Sequence, residues 1–426
     1  MTTEASHQNE VPESALAEPV RRVGGLWVTG LVLVNIGINA AFFGPIQVLL
    51  GLQAQAFDPG QKEAILALVT GAGAAVALVA NPLFGAFSDR TWSRFGRRRP
   101  WVLIGALLGT VALVALAGAP NVALATVLWC LVQLGCNGAY AAITAAIPDR
   151  APVDQRGVVG GLAAMGQTAG ILLGAVIAAV VSGNFALGYI ICAAALVLGV
   201  VLYLVTAADD PLPRGAIEQF SLARFLAGFW INPVRYPDFA WAWITRLLVN
   251  IGNHMVTLYL LFFLADDVRL KETQGIDPPT GVLILTGLYA VFVIVTSVIG
   301  GKLSDRMGRR KPLVIGSSIV IAIASLTLGF FPVWPGAIAG ACILGVGFGT
   351  YLAVDFALIT QVLPQAVSRG KDLGVINIAN SLPQVIAPAI AAPFVTLWGG
   401  YISLYVAAAV IGLLGAVFVT RIRSVA

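Results

Sequence analysis

Charge is what this sequence has least of. Asp, Glu, Lys and Arg make up 11% of 426 residues while hydrophobic types make up 58%, whereas a soluble globular domain carries about a quarter charged residues. A water-soluble fold is excluded. Histidine is nearly missing: only His7 and His254 occur. Cys130, Cys136, Cys192 and Cys342 form no CxxC pair and lie inside apolar runs, so they read as small core hydrophobes, not as a disulfide frame or a metal site. With Asp209 and Asp210 in a loop, the apolar runs also lack acidic pairs and a Ser-His dyad. An enzyme embedded in a membrane would need one of these, so no catalytic residue, cofactor or metal is expected. No soluble segment is long enough for a signalling domain, which argues against a receptor. The net charge of +5 does not indicate a nucleic-acid partner, because the basic residues fall in short runs between apolar segments, as in membrane loops.

What is abundant is uninterrupted apolar length. Crossing a bilayer takes about twenty apolar residues in a helix, and twelve such runs are expected, at 26–50, 64–87, 101–118, 122–147, 158–181, 186–206, 239–264, 280–301, 313–331, 335–362, 373–397 and 401–420. The lipid bilayer is therefore the first partner. Of the 25 Lys and Arg residues, 21 fall on one side of this arrangement; Lys62, Arg269 and Lys271 lie opposite and Arg246 lies within a span. Basic residues are retained in the cytoplasm, so both termini are expected there, in a multi-pass protein of the cell membrane. Residues 1–22, with four glutamates and two prolines, read as a disordered tail and not as a signal peptide.

The chain repeats itself. Val34-Asn35-Ile36-Gly37 recurs as Val249-Asn250-Ile251-Gly252, at an offset of 215, and Gly85-x-x-Ser88-Asp89-Arg90 recurs as Gly301-x-x-Ser304-Asp305-Arg306, at 216. Arg156-Gly157 recurs as Arg369-Gly370, at 213. Three matches in nearly one register divide the chain into six-span halves, 23–206 and 239–426. The linker 207–238 joins them; its Phe220, Leu222, Phe225, Leu226 and Phe229 read as an interfacial helix. Paired halves around a midplane site are the plan of secondary transporters, in which one half rocks against the other.

The run Gly85-Ala-Phe-Ser88-Asp89-Arg90-Thr-Trp-Ser-Arg94-Phe-Gly96-Arg97-Arg98-Arg99-Pro100 resembles the signature between spans 2 and 3 of the major facilitator superfamily. The resemblance implies an all-α polytopic fold of twelve transmembrane helices in two six-helix halves. Beside Asp305-Arg306-Met-Gly308-Arg309-Arg310-Lys311-Pro312, the first copy is four residues longer, which is similar to the glycoside and sucrose cation symporter branch. Independently of the family, Asp89 and Asp305 stand among guanidinium groups able to form bidentate pairs, and Gly85 and Gly301 are expected to allow close helix approach. These residues, with Arg90, Gly96, Arg97, Arg98, Arg306, Gly308, Arg309 and Arg310, read as a conformational latch.

In the resembled fold, spans 1, 4, 7 and 10 line the central cavity. Here they carry polar stripes at helical spacing: Asn35 and Asn39; Gln133, Asn137, Tyr140 and Thr144; Arg246, Asn250 and Asn253. Span 5 adds Gln167, span 10 Tyr351, and span 11 Asn377, Asn380 and Gln384. Such groups are expensive facing lipid and must face protein or a wet cavity. Neutral amides beside aromatic rings suit a neutral polyhydroxyl solute, and an organic anion would call for more intramembrane basic residues. Arg246 and Asp355 lie at matched depth, each roughly 12–14 Å from the cytoplasmic edge, and are expected to pair. Asp355, with Arg246 and more weakly His254, is the expected coupling group.

The expected function is cation-coupled uptake, with protons as the cation, of a sugar or glycoside by a monomer; the alternative is an exporter of amphipathic compounds. The resemblance also has gaps. Gln133 and Thr144 stand where plant sucrose transporters carry an aspartate and an arginine, residues 64–87 lack the acidic groups of melibiose-type sodium symporters, and Gly166, Gly170 and Gly174 recur without the antiporter proline.

Overall fold

The computed structural model describes residues 19–181, 183–207, 233–307, 309–361 and 369–423, which hold no strand. In hydrocarbon each peptide group must find its partner within its own segment, and a helix does this. The first span is α1, Gly25–Gly44, continued by a π-turn at Pro45–Leu49 and by α2, Leu50–Phe57. Then follow α3 (Lys62–Asp89), α4 (Arg99–Ala117), α5 (Val122–Arg150), α6 (Val153–Val180) and α7 (Phe185–Thr206). After residue 232 come α8 (Pro237–Leu258), α9 (Leu260–Asp266), the short α10 (Leu270–Gln274), α11 (Pro278–Met307), α12 (Lys311–Phe330), α13 (Trp334–Gln361), α14 (Arg369–Thr396) and α15 (Gly400–Val419).

Local chemistry sets the ends. Asn121 and Asn184 cap α5 and α7, their side chains accepting from the N–H groups of Leu124 at 2.9 Å and Leu187 at 3.0 Å. Pro100, Pro237 and Pro312 sit in first turns, where a missing N–H leaves no bond unmade. Among the described residues ten helices are long and apolar enough to cross a membrane, eleven when α8 and α9 count as one span bent by 42°. The remaining expected span, the eleventh at 373–397, falls on α14, whose Leu382–Thr396 stretch is apolar. The unbroken helix expected at 239–264 is thus corrected to two pieces meeting at Tyr259. Helix α11 also runs six residues past its expected end at 301, because its charged end needs no hydrocarbon around it. Residues 1–18 of the expected tail and 208–232 of the expected linker lie outside the described residues.

The sequence repeat is also a packing repeat. A Cβ at Gly199 of α7 would lie 2.6 Å from the Leu33 carbonyl oxygen on α1, and one at Gly415 of α15 would lie 2.9 Å from Val249 on α8. Gly415 is 216 residues after Gly199, and Val249 is 216 after Leu33. The glycines Gly166, Gly170 and Gly174 of α6 bring its backbone against α1, with 2.7, 2.5 and 2.5 Å from such a Cβ to Val32 O, Ile36 O and Gly44 N. Small residues let helices approach this closely in a membrane. Between the two sets of helices, contact runs along α3 with α14 and α6 with α11. There the fit is wider: a Cβ at Gly71 would stop 3.9 Å from both Val385 O and Pro388.

Candidate solute pathway and its gates

A cavity of about 160 Å³ lies between α1, α5 and α6, lined by Asn35, Tyr140, Ile143, Thr144, Gln167 and their small neighbours, with no charged side chain among its lining residues. Asn35, Tyr140, Thr144 and Gln167, read from three separate helices, are brought together here. The stripe amides share one pose. Asn35 Nδ2 donates to Leu31 O at 2.8 Å, Asn39 to Asn35 O at 2.8 Å, Asn137 to Gln133 O at 2.9 Å and Asn250 to Arg246 O at 2.8 Å. Each N–H donated one helical turn back fixes the rotamer and leaves the amide oxygen as the acceptor on offer.

Other stripe residues do different work. Gln133 and Trp129 are turned onto α3, where Gly73 makes room for both, and Gln133 Oε1 accepts from Asn137 at 2.9 Å. Asn253 Oδ1 accepts a long 3.5 Å bond from Tyr289. His254 is half-buried one turn before α8 ends, and Gln384 is exposed. The side chains of Asn377 and Asn380 lie outside the described residues.

Arg246 and Asp355 meet as expected from their depth. Arg246 Nη1 lies 2.5 Å from Asp355 Oδ2, joining α8 to α13, and both residues are buried. Tyr351, one turn before Asp355, is fully buried. A guanidinium and a carboxylate this deep depend on each other, since either one alone would be an uncompensated charge.

At the arginine-rich ends of the spans the centre is Arg98. Its Nε lies 2.7 Å from Asp149 Oδ2, its Nη2 2.5 Å from Asp89 Oδ1, and its Nη1 donates to Ser88 Oγ at 2.5 Å. Arg97 lies 2.5 Å from the other Asp149 oxygen. Burial works against the charge of Arg98, but Asp149 and Asp89 outweigh it and raise its pKa above the ordinary arginine value. Gly96 turns the chain through φ +89°, a region open to glycine. The close approach expected at Gly85 and Gly301 is corrected: a Cβ at Gly85 meets nothing within 4 Å, and one at Gly301 meets only Ala353 at 3.8 Å. Phe84 fills that level instead, its ring lying against Gly138 and edge-on to Trp101 at 5.2 Å. Arg90 donates to Ala86 O at 2.9 Å, and Arg306 and Arg309 are exposed. Gly308 and the Asp305 side chain lie outside the described residues. The Asp149 contact was not anticipated; its sequence signal is an acid directly after Pro148 at the end of a span.

The opposite ends of the spans carry a second charged cluster, also unanticipated. Lys62 at the start of α3 lies 2.7 Å from both oxygens of Asp266 at the end of α9, and 5.0 Å over the ring of Phe262. Tyr401, at the start of α15, donates its one hydroxyl proton to Asp266 at 2.9 Å, with Glu63 Oε1 also within reach at 3.3 Å, while Tyr259 donates to the Glu63 carbonyl at 3.2 Å. All of these except the Tyr401–Asp266 contact cross between the two sets of helices. Next to them, burial and neighbouring Asp266 raise the Asp267 pKa above the ordinary carboxylate value, with Arg269 working the other way.

The helices form a polytopic bundle with a neutral cavity, an intramembrane ion pair and charged clusters at both ends, the build of a membrane transporter. The Major Facilitator Superfamily model matches residues 26–276 and 268–425, and the chain belongs to that family. The chain is 29% identical over 123 residues to a probable polyol transporter of Arabidopsis thaliana, covering 29% of this chain and 21% of that protein. Against the general alpha-glucoside permease of Schizosaccharomyces pombe it is 30% identical over 120 residues, covering 28% and 21%. A Staphylococcus haemolyticus protein, provisionally assigned to proline or betaine transport, is 26% identical over 323 residues, covering 70% and 66%. The matches thus span about a fifth of the plant and yeast relatives and 66% of the bacterial one. Among solved structures, the nucleoside transporter NupG superposes with a TM-score of 0.76 at 12% identity, covering 93% of this chain and 99% of NupG.

Proposed function

We propose that the protein is a secondary active transporter that takes up a small neutral polyhydroxyl solute, a sugar or glycoside, by alternating access and coupled to a cation, the proton. The observation that carries this reading is the uncharged lining of the cavity, where Asn35, Tyr140, Thr144 and Gln167 offer hydrogen bonds without charge. Hydroxyl groups both donate and accept, and such a lining satisfies them with no desolvated ion. Relatives named for polyols and alpha-glucosides and the signature resembling the glycoside and sucrose symporter branch support it. Asp355 is the coupling group in this reading: ionised it holds Arg246, and protonated it releases the guanidinium, so the proton changes how α8 and α13 are tied. The Arg98 cluster is the cytoplasmic latch and the Lys62 cluster the external one. The working unit is a monomer in the cell membrane with both termini inside.

Purified protein in liposomes, given an inside-alkaline pH gradient, should accumulate radiolabelled mannitol or methyl α-glucoside and lose the accumulation with a protonophore. Failure to take up any neutral polyol overturns the solute class, and proton-driven expulsion of amphipathic compounds would install an exporter instead. A cysteine at exposed Lys271 should react with an impermeant reagent from outside intact cells, whereas one at Arg94 should react only after permeabilisation; the reverse pattern inverts the orientation.

A further inference from the structure

Two spans depart from regular α geometry partway along, and they do so at the same place in the repeat. Span 1 passes from α1 into the π-turn after Gly44, and span 7 breaks at Tyr259. Gly44 and Tyr259 are 215 residues apart, the offset that relates Val34-Asn35-Ile36-Gly37 to Val249-Asn250-Ile251-Gly252. Interruptions at corresponding positions of two transporter halves mark the walls of a binding site, because irregular backbone inside a membrane is tolerated where it borders a cavity. A π-turn widens the helix locally and re-aims the side chains on it. Pro45, which cannot donate to a backbone carbonyl, opens this one.

The π-turn carries Gln47, and the Oε1 of Gln47 is buried without a hydrogen-bond donor. The turn packs against α6 and α7 of its own half and against α8, α9 and α11 of the other. Gly51, four residues further on, faces Leu261 and Phe262 of α9, with 2.8 Å from its would-be Cβ to Leu261. Gln47 lies about two turns beyond Asn39, past Phe43, on the stretch of span 1 that meets that seam. An apolar side chain of the same volume would pack here with no orphaned acceptor, so the amide is a local burden on the fold.

We infer that Gln47 is a specificity-determining contact for the transported solute, its Oε1 accepting a hydrogen bond from a solute hydroxyl at the seam between the π-turn and the break at Tyr259. The inference rests on the neutral polyhydroxyl reading above. It separates a site with a fixed acceptor at its outer end from one formed by the α1, α5 and α6 cavity alone, and it makes the pattern of hydroxyls on the solute a selected property.

The test titrates purified wild-type and Gln47→Leu protein with mannitol, sorbitol, glucose and methyl α-glucoside by calorimetry, and follows thermal unfolding of both without ligand. Loss of one hydrogen bond and its buried partner should weaken binding about tenfold, while unliganded Gln47→Leu unfolds at the wild-type temperature or above it. In a series of monodeoxy analogues, one analogue should bind Gln47→Leu as well as the parent does, although wild type discriminates between them. Unchanged affinity in Gln47→Leu overturns the assignment while leaving the solute class intact. Loss of thermal stability in that variant also overturns it, because the amide would then be holding helices together. A wild-type protein that binds no member of the panel overturns the solute class, and the assignment with it.

Discussion

Lys62 and Asp266, 204 residues apart, close one end of the molecule through two 2.7 Å contacts from a single ammonium group. The pair ties α3 to α9, and Tyr401 braces the same carboxylate from α15. Lys62→Gln should remove about 1 kcal/mol from this closure, the range of a partly exposed ion pair, and shift the balance toward the state open at that end by about fivefold. Spin labels at exposed Gln61 and Leu397 in a cysteine-free background report it by pulsed distance measurement. The longer-distance population should grow, and an unchanged distribution would remove Lys62 from the gate.

Asp149 should matter more to stability than Asp89. Asp149 holds both Arg97 and Arg98, with side-chain exposure of 19%, whereas Asp89 is 54% exposed and Arg98 only 4%. Asp149→Asn leaves a buried guanidinium short of its main partner and should cost about 3 kcal/mol; Asp89→Asn should cost well under 1 kcal/mol. Thermal unfolding in detergent gives the order, and equal losses would mean that Asp89 shares the load.

Asp355→Asn separates coupling from structure. As a permanent mimic of the protonated acid, it should allow substrate binding and exchange but no accumulation against a gradient. Breaking the buried pair should also cost about 3–5 kcal/mol, restored when Arg246→Gln is added. If the double variant recovers both folding and accumulation, the pair is structural only, and normal accumulation by a well-folded Asp355→Asn protein ends the coupling role outright.

Asp267 supplies a pH test with a definite sign. Its folded-state pKa is raised by burial and by Asp266, so the folded state favours the protonated acid, and that contribution is full below the unfolded pKa and lost as pH rises through the folded one. Asp267→Asn should therefore raise the unfolding temperature slightly at pH 7, with the gain shrinking toward zero below pH of about 4. A gain that is constant or grows in acid contradicts the cause given for the shift.

The spans, their repeat and the Arg246–Asp355 contact were legible because each is written in a one-dimensional signal: apolar run length, a fixed offset, and depth counted from helix ends. The break at Tyr259 carries no such signal. Tyr259 is flanked by Leu258 and Leu260, and nothing in hydropathy marks a bend there. Lys62 reads only as a topology marker until α9 is folded next to it, because its partner comes from the other half of the chain. Gln133 shares a helical face with residues that line the cavity, yet Gly73 on α3 draws it into a helix contact, and spacing within one helix cannot register a hole in another.

The contrast between the glycine contacts bears on how force would travel through the molecule. In the first set backbones interlock at 2.5–2.6 Å from a would-be Cβ, at Gly174 and Gly199 against α1, and in the second Gly415 meets the Val249 side chain of α8 at 2.9 Å, whereas across the α3–α14 seam Gly71 stands off by 3.9 Å. Packed interiors resist compression, so a push applied at one end of a set is carried along it like a beam. At Gly71 the seam is looser, its nearest neighbours there, the Pro388 ring and the Val385 carbonyl, standing at 3.9 Å, while nearer the other end Gly51 meets Leu261 at 2.8 Å. The spacing at Gly71 leaves α3 room to shift against α14 by some tenths of an ångström before their atoms collide, room that the glycine contacts at Gly174 and Gly199 do not leave.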